Sequence, residues 1–227
     1  MNMANVVYLN IANIISLNDI SYFWAKNCNG LFSIDKNTGF CNLVAQDPDG
    51  NKWSDKLLYS QCVAIEDNIF IAPYYANHIM IYNVSEKKAE YLPVGEQPRF
   101  TSMCIYNDWL YFFGSKEFKR INIKSRKMEV VPKNEDMEVN HFARCKENIY
   151  VPSRNEDEII CMNLEDYSCK KLRFGNRGIH YNTVLYWNEQ LILSGDAGDI
   201  VIADLRTECI KMVRVPENMG ARKASVD

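Results

Sequence analysis

Residues 188–213 read NEQLILSGDAGDIVIADLRTECIKMV. An Asn-Glu pair opens the stretch, and an apolar run follows at Leu191-Ile192-Leu193. A second run, Ile200-Val201-Ile202, closes on Asp204, and another apolar position stands at Val213. Short β-rich runs separated by Gly and Asx residues read as antiparallel strands joined by turns, because Asx side chains hydrogen-bond nearby backbone and Gly supplies the conformations a turn needs. Just upstream, Val184-Leu185 mark one more strand, giving four in meander order: A, B, C and D.

The same pattern recurs along the whole chain, and self-similarity at a fixed period outranks other fold signals. With the acidic residue of the opening pair as anchor, the copies begin at Asp19, Asp67, Asp108, Glu147 and Glu189, spaced by 48, 41, 39 and 42 residues. Each anchor is followed by a strand B run, such as Ile69-Phe70-Ile71, Leu110-Tyr111-Phe112 or Ile149-Tyr150-Val151. An Asx landmark then ends strand C at Asp35, Asn83, Asn122, Asn163 and Asp204. Nine residues beyond every landmark, without a gap, stand Val44, Leu92, Val131, Leu172 and Val213 of strand D. Pro93, Pro132 and Pro216 follow strand D, which suits an outer edge strand that need not donate.

Five four-stranded antiparallel units define an all-β fold, a β-propeller in one domain over residues 1–227, with repeats at approximately 11–45, 59–94, 100–133, 139–174 and 181–216. A β-sandwich would not keep ungapped landmarks at this period, and solenoid coils are shorter. Residues 191–206, LILSGDAGDIVIADLR, resemble the middle of a WD-repeat blade, although the Gly-His and Trp-Asp dipeptides are absent. Residues 79–93, IMIYNVSEKKAEYLP, and 121–132, INIKSRKMEVVP, resemble the end of a kelch-type repeat without its double glycine. The resemblance is to kelch-like and related propellers as a superfamily, and it implies fold rather than activity. The spacing fits either a closed ring of five blades or part of a ring of six or seven.

Bulk properties exclude several functions. The 227 residues carry 26 basic and 29 acidic side chains, a net charge of -3, with no basic block to neutralise a row of phosphates, so nucleic acid is not expected as a partner. No apolar run is long enough to span a bilayer as a helix, and the N-terminal residues lack the pattern of a secretory signal. The eight cysteines fall mostly in strand-like runs (Cys62, Cys104, Cys145, Cys161, Cys169), where they read as small core hydrophobes of a soluble cytoplasmic protein. No cofactor or metal is expected. Asp47-Pro48-Asp49-Gly50-Asn51 reads better as a turn than as a calcium loop, and His78, His141 and His180 lack ligand spacing.

In such a meander the A-B and C-D turns lie at one end of each blade and the B-C and D-A loops at the other. The repeated acidic and Asx positions are therefore turn formers. Candidate binding residues are the aromatic and basic side chains that break the repeat at the B-C and D-A end: Trp24, Tyr74, Tyr75, His78, Arg99, Phe113, His141, Arg154, Arg177 and His180. Such a rim suits a protein or carbohydrate partner. The aligned pairs in strand A, Ala12-Asn13, Ser60-Gln61, Thr101-Ser102, Asn140-His141 and Asn182-Thr183, polar at nine of ten positions, are expected to form a hydrated lining at the channel mouth. A non-catalytic binding propeller is the favoured reading. The alternative is a glycan hydrolase or lyase, for which no pair of facing carboxylates and no nucleophile motif stands out.

Overall fold

The computed structural model describes residues 9–48, 56–137, 139–175, 178–195, 198–207 and 209–214. Each of five sheets pairs its strands in chain order. The first contains β1 (Ile11–Leu17), β2 (Ile20–Ala25), β3 (Gly30–Asp35) and β4 (Cys41–Gln46), and the second β5 (Tyr59–Ile65), β6 (Asn68–Pro73), β7 (His78–Asn83) and β8 (Lys88–Pro93). The third contains β9 (Phe100–Tyr106), β10 (Trp109–Gly114), β11 (Phe118–Asn122) and β12 (Met128–Val131). The fourth is built from β13 (Ala143–Cys145), β14 (Asn148–Pro152), β15 (Glu158–Asn163) and β16 (Cys169–Arg173), and the fifth from β17 (Tyr181–Trp187), β18 (Gln190–Gly195), β19 (Asp199–Asp204) and β20 (Ile210–Arg214). Among the described residues no helix is long and apolar enough to cross a membrane.

The repeated turn residues act as their chemistry requires. The residue before each acidic anchor takes a left-handed backbone, at Asn18 (φ 54), Glu66 (φ 52), Asn107 (φ 52), Lys146 (φ 52) and Asn188 (φ 49), a region that Asn tolerates better than most side chains. Every anchor carbonyl, from Asp19, Asp67, Asp108, Glu147 and Glu189, accepts the N–H of the residue after the Asx landmark at 2.8–3.0 Å. Each landmark side chain in turn accepts backbone N–H groups two or three residues ahead, as Asp35 does from Asn37 and Thr38, Asn83 from Glu86, Asn122 from Lys124 and Ser125, Asn163 from Glu165 and Asp204 from Arg206 and Thr207. These contacts tie the two turns of each blade together and explain the period without any functional role.

The chain divides into two compact units, Met1–Met103 with Phe112–Lys116, and Cys104–Tyr111 with Glu117–Asp227. The core of the first lies between sheets one and two, where Tyr22, Trp24, Leu31, Tyr59, Ile69, Ile71 and Met80 are buried. That of the second lies between sheets four and five, around Ile159, Tyr181, Val184, Leu191, Leu193 and Val201. Strand B is buried along nearly its whole length in β2, β6, β10 and β14, because side chains from both of its faces are covered, whereas in β18 only Leu191 and Leu193 are buried.

Three departures from the sequence reading concern strand A and the cysteines. In β1, β5 and β17 the register skips one residue, at Ala12, Ser60 and Asn182, so the pairs Ala12-Asn13, Ser60-Gln61 and Asn182-Thr183 coincide with β-bulges. In sheet two that pair is not left to water alone: Ser60 Oγ donates to the Phe100 carbonyl at 2.6 Å, and Gln61 Oε1 accepts from the Met103 N–H at 3.1 Å, so both bind the adjacent strand β9. Strand β13 begins only at Ala143, which puts Asn140 and His141 outside the strand they were expected to join. Cys62 is buried, whereas Cys169 lies exposed on an outer strand and is no core hydrophobe.

Candidate functional site

In sheets one, two and four the residue just past strand D is held by the B-C loop of its own blade. The N–H groups of Asp47, Val94 and Phe174 donate to the carbonyls of Asn29, Asn77 and Asp157. Val94 and Phe174 are buried apolar residues; Asp47, equally buried, is a carboxylate. A one-residue bulge in β4, where Leu31 pairs with Ala45 and Phe32 with Leu43, brings Asp47 to this position. A buried carboxylate needs partners. Its Oδ2 accepts the Tyr59 hydroxyl at 2.6 Å and His78 Nε2 at 2.7 Å. Tyr181 occupies the place of Tyr59 at the start of β17 and donates to the Phe174 carbonyl, so sheet two reuses a repeated tyrosine contact with a charged acceptor.

The network sits within an aromatic cluster. The Tyr59 ring packs edge-on against Trp24 at 4.5 Å, and the His78 ring packs edge-on against Tyr91 at 5.0 Å. Burial, together with the charge on Asp47, raises the Tyr91 phenol above its ordinary range, and its hydroxyl donates to the Gln46 carbonyl. In front of His78 lies a cavity of about 250 Å³ whose wall includes Tyr75, Asn77, Glu96 and Gln97, with Asp47 behind.

Two loops shape that cavity. In the B-C loop the N–H groups of Tyr74, Tyr75 and Ala76 all point at the Leu58 carbonyl, and the Tyr74 and Tyr75 rings meet edge-on at 5.0 Å. In the D-A loop Gly95 (φ 102), Gln97 (φ 43) and Arg99 (φ 53) all adopt left-handed backbone. For Gln97 and Arg99 this is a cost that surrounding contacts must offset. The Gln97 N–H donates to Asn77 Oδ1 and the Arg99 N–H to the Tyr74 carbonyl. Gly114 makes room for the loop: a Cβ there would stand 2.7 Å from the Arg99 carbonyl oxygen. The Arg99 guanidinium lies 5.6 Å from the Tyr75 ring centre, and Lys56 Nζ lies at the same distance.

Tyr74, Tyr75, His78 and Arg99 are thus brought together in the first unit. Trp24 and Phe113 are not rim residues. They lie on β2 and β10 with relative exposures of 1% and 0%, and the Trp24 ring packs against Tyr59 of the adjacent sheet. In the second unit His141 and Arg154 are exposed, and exposed His180 stands 3.4 Å from Glu156. Arg177 lies outside the described residues, as does most of the Asp47-to-Asn51 turn. Cys28, in the B-C loop of the first sheet, is half-buried, and burial raises its pKa, which argues against a nucleophile. Among the described residues no cluster of His, Cys, Asp and Glu could hold a metal ion.

A second hollow, about 300 Å³, lies at the opposite, A-B and C-D end of blades in the second unit, beside Trp109 and Arg120. Its arginine is fully engaged. Arg120 donates from Nε and Nη2 to Glu129 and from Nη1 to the Tyr111 hydroxyl, and its guanidinium lies 4.0 Å from the Trp109 ring centre.

No family model and no curated protein matches the chain. Solved structures do. Virginiamycin B lyase from Staphylococcus aureus aligns with a TM-score of 0.69 at 10% identity over 91% of this chain and 70% of its own. The computationally designed Ika8 protein aligns at 0.65 and 10% identity over 89% of this chain and 61% of its own. A chain of the nidogen/laminin complex aligns at 0.60 and 8% identity over 91% and 81%. The fold is a β-propeller. At these identities the likeness shows architecture alone, and the neighbours include both an enzyme and a component of a protein complex.

Several site residues of this propeller escaped the sequence reading. Asn29, Asn77 and Asp157 each stand six residues before the Asx landmark of their blade, a fixed spacing that carried the signal. The Asp157 carboxylate accepts the N–H groups of Gly178 and Ile179, as Asn77 does for Gln97. Asp47 announced itself only as a charged residue among apolar equivalents, and the β4 bulge displaces it by one position from the ungapped alignment.

Proposed function

We propose that the protein is a non-catalytic binding propeller and that its ligand is a glycan seated in the cavity of the first unit. The observation that carries this reading is the composition of that wall. The aromatic ring of Tyr75 borders it together with the amides of Asn77 and Gln97, the Glu96 carboxylate and the ring of His78. Saccharides present hydroxyls around an apolar C–H face, and a concave site combining an aromatic with convergent donors and acceptors is suited to both. The wall is preorganised, since His78 is fixed by Asp47 and Gln97 by Asn77. Preorganisation lowers the entropic cost of binding.

Hydrolysis is the less favoured reading. It requires two carboxylates free to act on the scissile bond. Of the two at this cavity, the Asp47 side chain is only 1% exposed and is committed to Tyr59 and His78, which leaves Glu96 alone. A glycan array probed with the purified chain, followed by calorimetry on the saccharides retained, tests the proposal. Tyr75→Ala should weaken binding about tenfold, the loss of one aromatic platform. Retention of no saccharide, or binding indifferent to both Tyr75→Ala and Gln97→Ala, overturns it.

A further inference from the structure

We infer that the glycan is an acidic one, a uronic-acid saccharide whose carboxylate is received by Arg99 beside the Tyr75 ring. The inference rests on the proposed cavity and adds the chemical class of its ligand. Arginine is suited to this task because its planar guanidinium presents donors in a fork that matches a carboxylate.

Three arginines of the chain are committed to carboxylates. Arg120 is bound by Glu129, Arg173 stands 3.6 Å from Glu158 and Arg206 pairs with Glu189. Arg99 is half-buried and makes no ion pair among the described residues, and its Nε is shielded from solvent without a hydrogen-bond partner. A buried donor left unmatched is destabilising, and it leaves the guanidinium uncommitted to any carboxylate of the described residues.

The backbone around it is costly as well. The left-handed conformation at φ 53 disfavours any side chain with a Cβ, yet an arginine stands there, pinned by the Tyr74 carbonyl and by the close approach of Gly114. Strain held in place by its surroundings is a mark of ligand clamps. What the strain achieves here is to lay the guanidinium near the Tyr75 ring, with Lys56 Nζ also 5.6 Å from that ring's centre. Two cations therefore flank the aromatic residue that borders the cavity. In the bound state Arg99 receives the carboxylate, with Lys56 adding to the local positive potential, while Asn77, Glu96 and Gln97 meet the hydroxyls.

The test compares an oligoglucuronate, the uncharged oligoglucose of the same length, inorganic sulfate and an oligoglutamate peptide, each titrated calorimetrically into the full chain. The oligoglucuronate should bind at least about tenfold more tightly than the oligoglucose, and the preference should shrink as salt rises. Arg99→Gln should abolish the preference. Arg99→Lys should retain part of it and guards against a variant that fails to fold. Equal binding of the two saccharides by wild type, or a preference untouched in both variants, overturns the inference while leaving the glycan cavity standing. Binding of neither saccharide removes the cavity assignment and the inference together. Tighter Arg99-dependent binding of the peptide, or of sulfate alone, refutes a uronate ligand.

Discussion

Replacing Tyr59 and Asp47, singly and together, tests whether the buried carboxylate at the back of the cavity is held as described. The Tyr59 side chain is fully buried and its hydroxyl lies 2.6 Å from Asp47 Oδ2. A hydrogen bond to a charged group contributes about 1.5–3 kcal/mol, so Tyr59→Phe should destabilise the protein by that amount. For a chain of this size that corresponds to about 4–8 °C in Tm at 2 kcal/mol. Asp47→Val installs the residue type found at Val94, the equivalent position one blade on, and deprives the Tyr59 hydroxyl of this acceptor. It should cost at least as much, because a buried hydroxyl loses its bond and His78 loses its anchor. Removing both polar partners relieves the first of those penalties, and His78, with 16% of its side chain exposed, can turn to water. The double variant should therefore be more stable than the sum of the singles by at least about 1 kcal/mol. Urea unfolding of the four proteins followed by tryptophan fluorescence measures the coupling. Additivity within about 0.5 kcal/mol would refute the network.

Other expectations follow from the same geometry. Gly114→Ala places a methyl group against the Arg99 and Pro98 carbonyls and should cost about 1–3 kcal/mol in stability while weakening ligand binding through the displaced loop. Glu158, at the start of β15, is buried, which on its own would raise its pKa, but hydrogen bonds from Asn155 and Ser153 and the charge of Lys171 outweigh burial and hold it below the ordinary carboxylate range. Its contribution to stability is thus present above that range and lost as pH falls through the lowered value, so Glu158→Gln should flatten the acid limb of a stability–pH profile. Burial pushes the Cys62 and Cys104 thiols up to about 12. Under native conditions a thiol-exchange reagent should label Cys41 and Cys209 first and reach Cys62 and Cys104 only after unfolding.

The blades were legible because their signals are local. An Asx landmark bonds residues two or three positions ahead, and a hairpin turn needs only its own pair, so both survive in an ungapped comparison of repeats. Burial at the end of strand B was not legible. Trp24 and Phe113 stand next to loop residues in sequence, and their burial depends on non-local packing, as of Trp24 on Tyr59, that a local pattern does not carry. The cavity was half-legible. Tyr74, Tyr75, His78 and Arg99 stood out as departures from the repeat, but Asp47 joins His78 across 31 residues of chain through a register change that spacing conceals. The polar pairs of strand A were visible as anomalies, yet their bonds to an adjacent strand, as from Ser60 and Gln61 to β9, are non-local.

Hydrogen–deuterium exchange with and without the saccharide that binds most tightly tests the central claim most directly. The claim predicts ligand-dependent protection in residues 74–78 and 94–99, the two loops that wall the cavity of the first unit. Protection confined to residues 153–158 and 178–180, where the second unit repeats the loop arrangement without the buried Asp47–His78 pair, would contradict it.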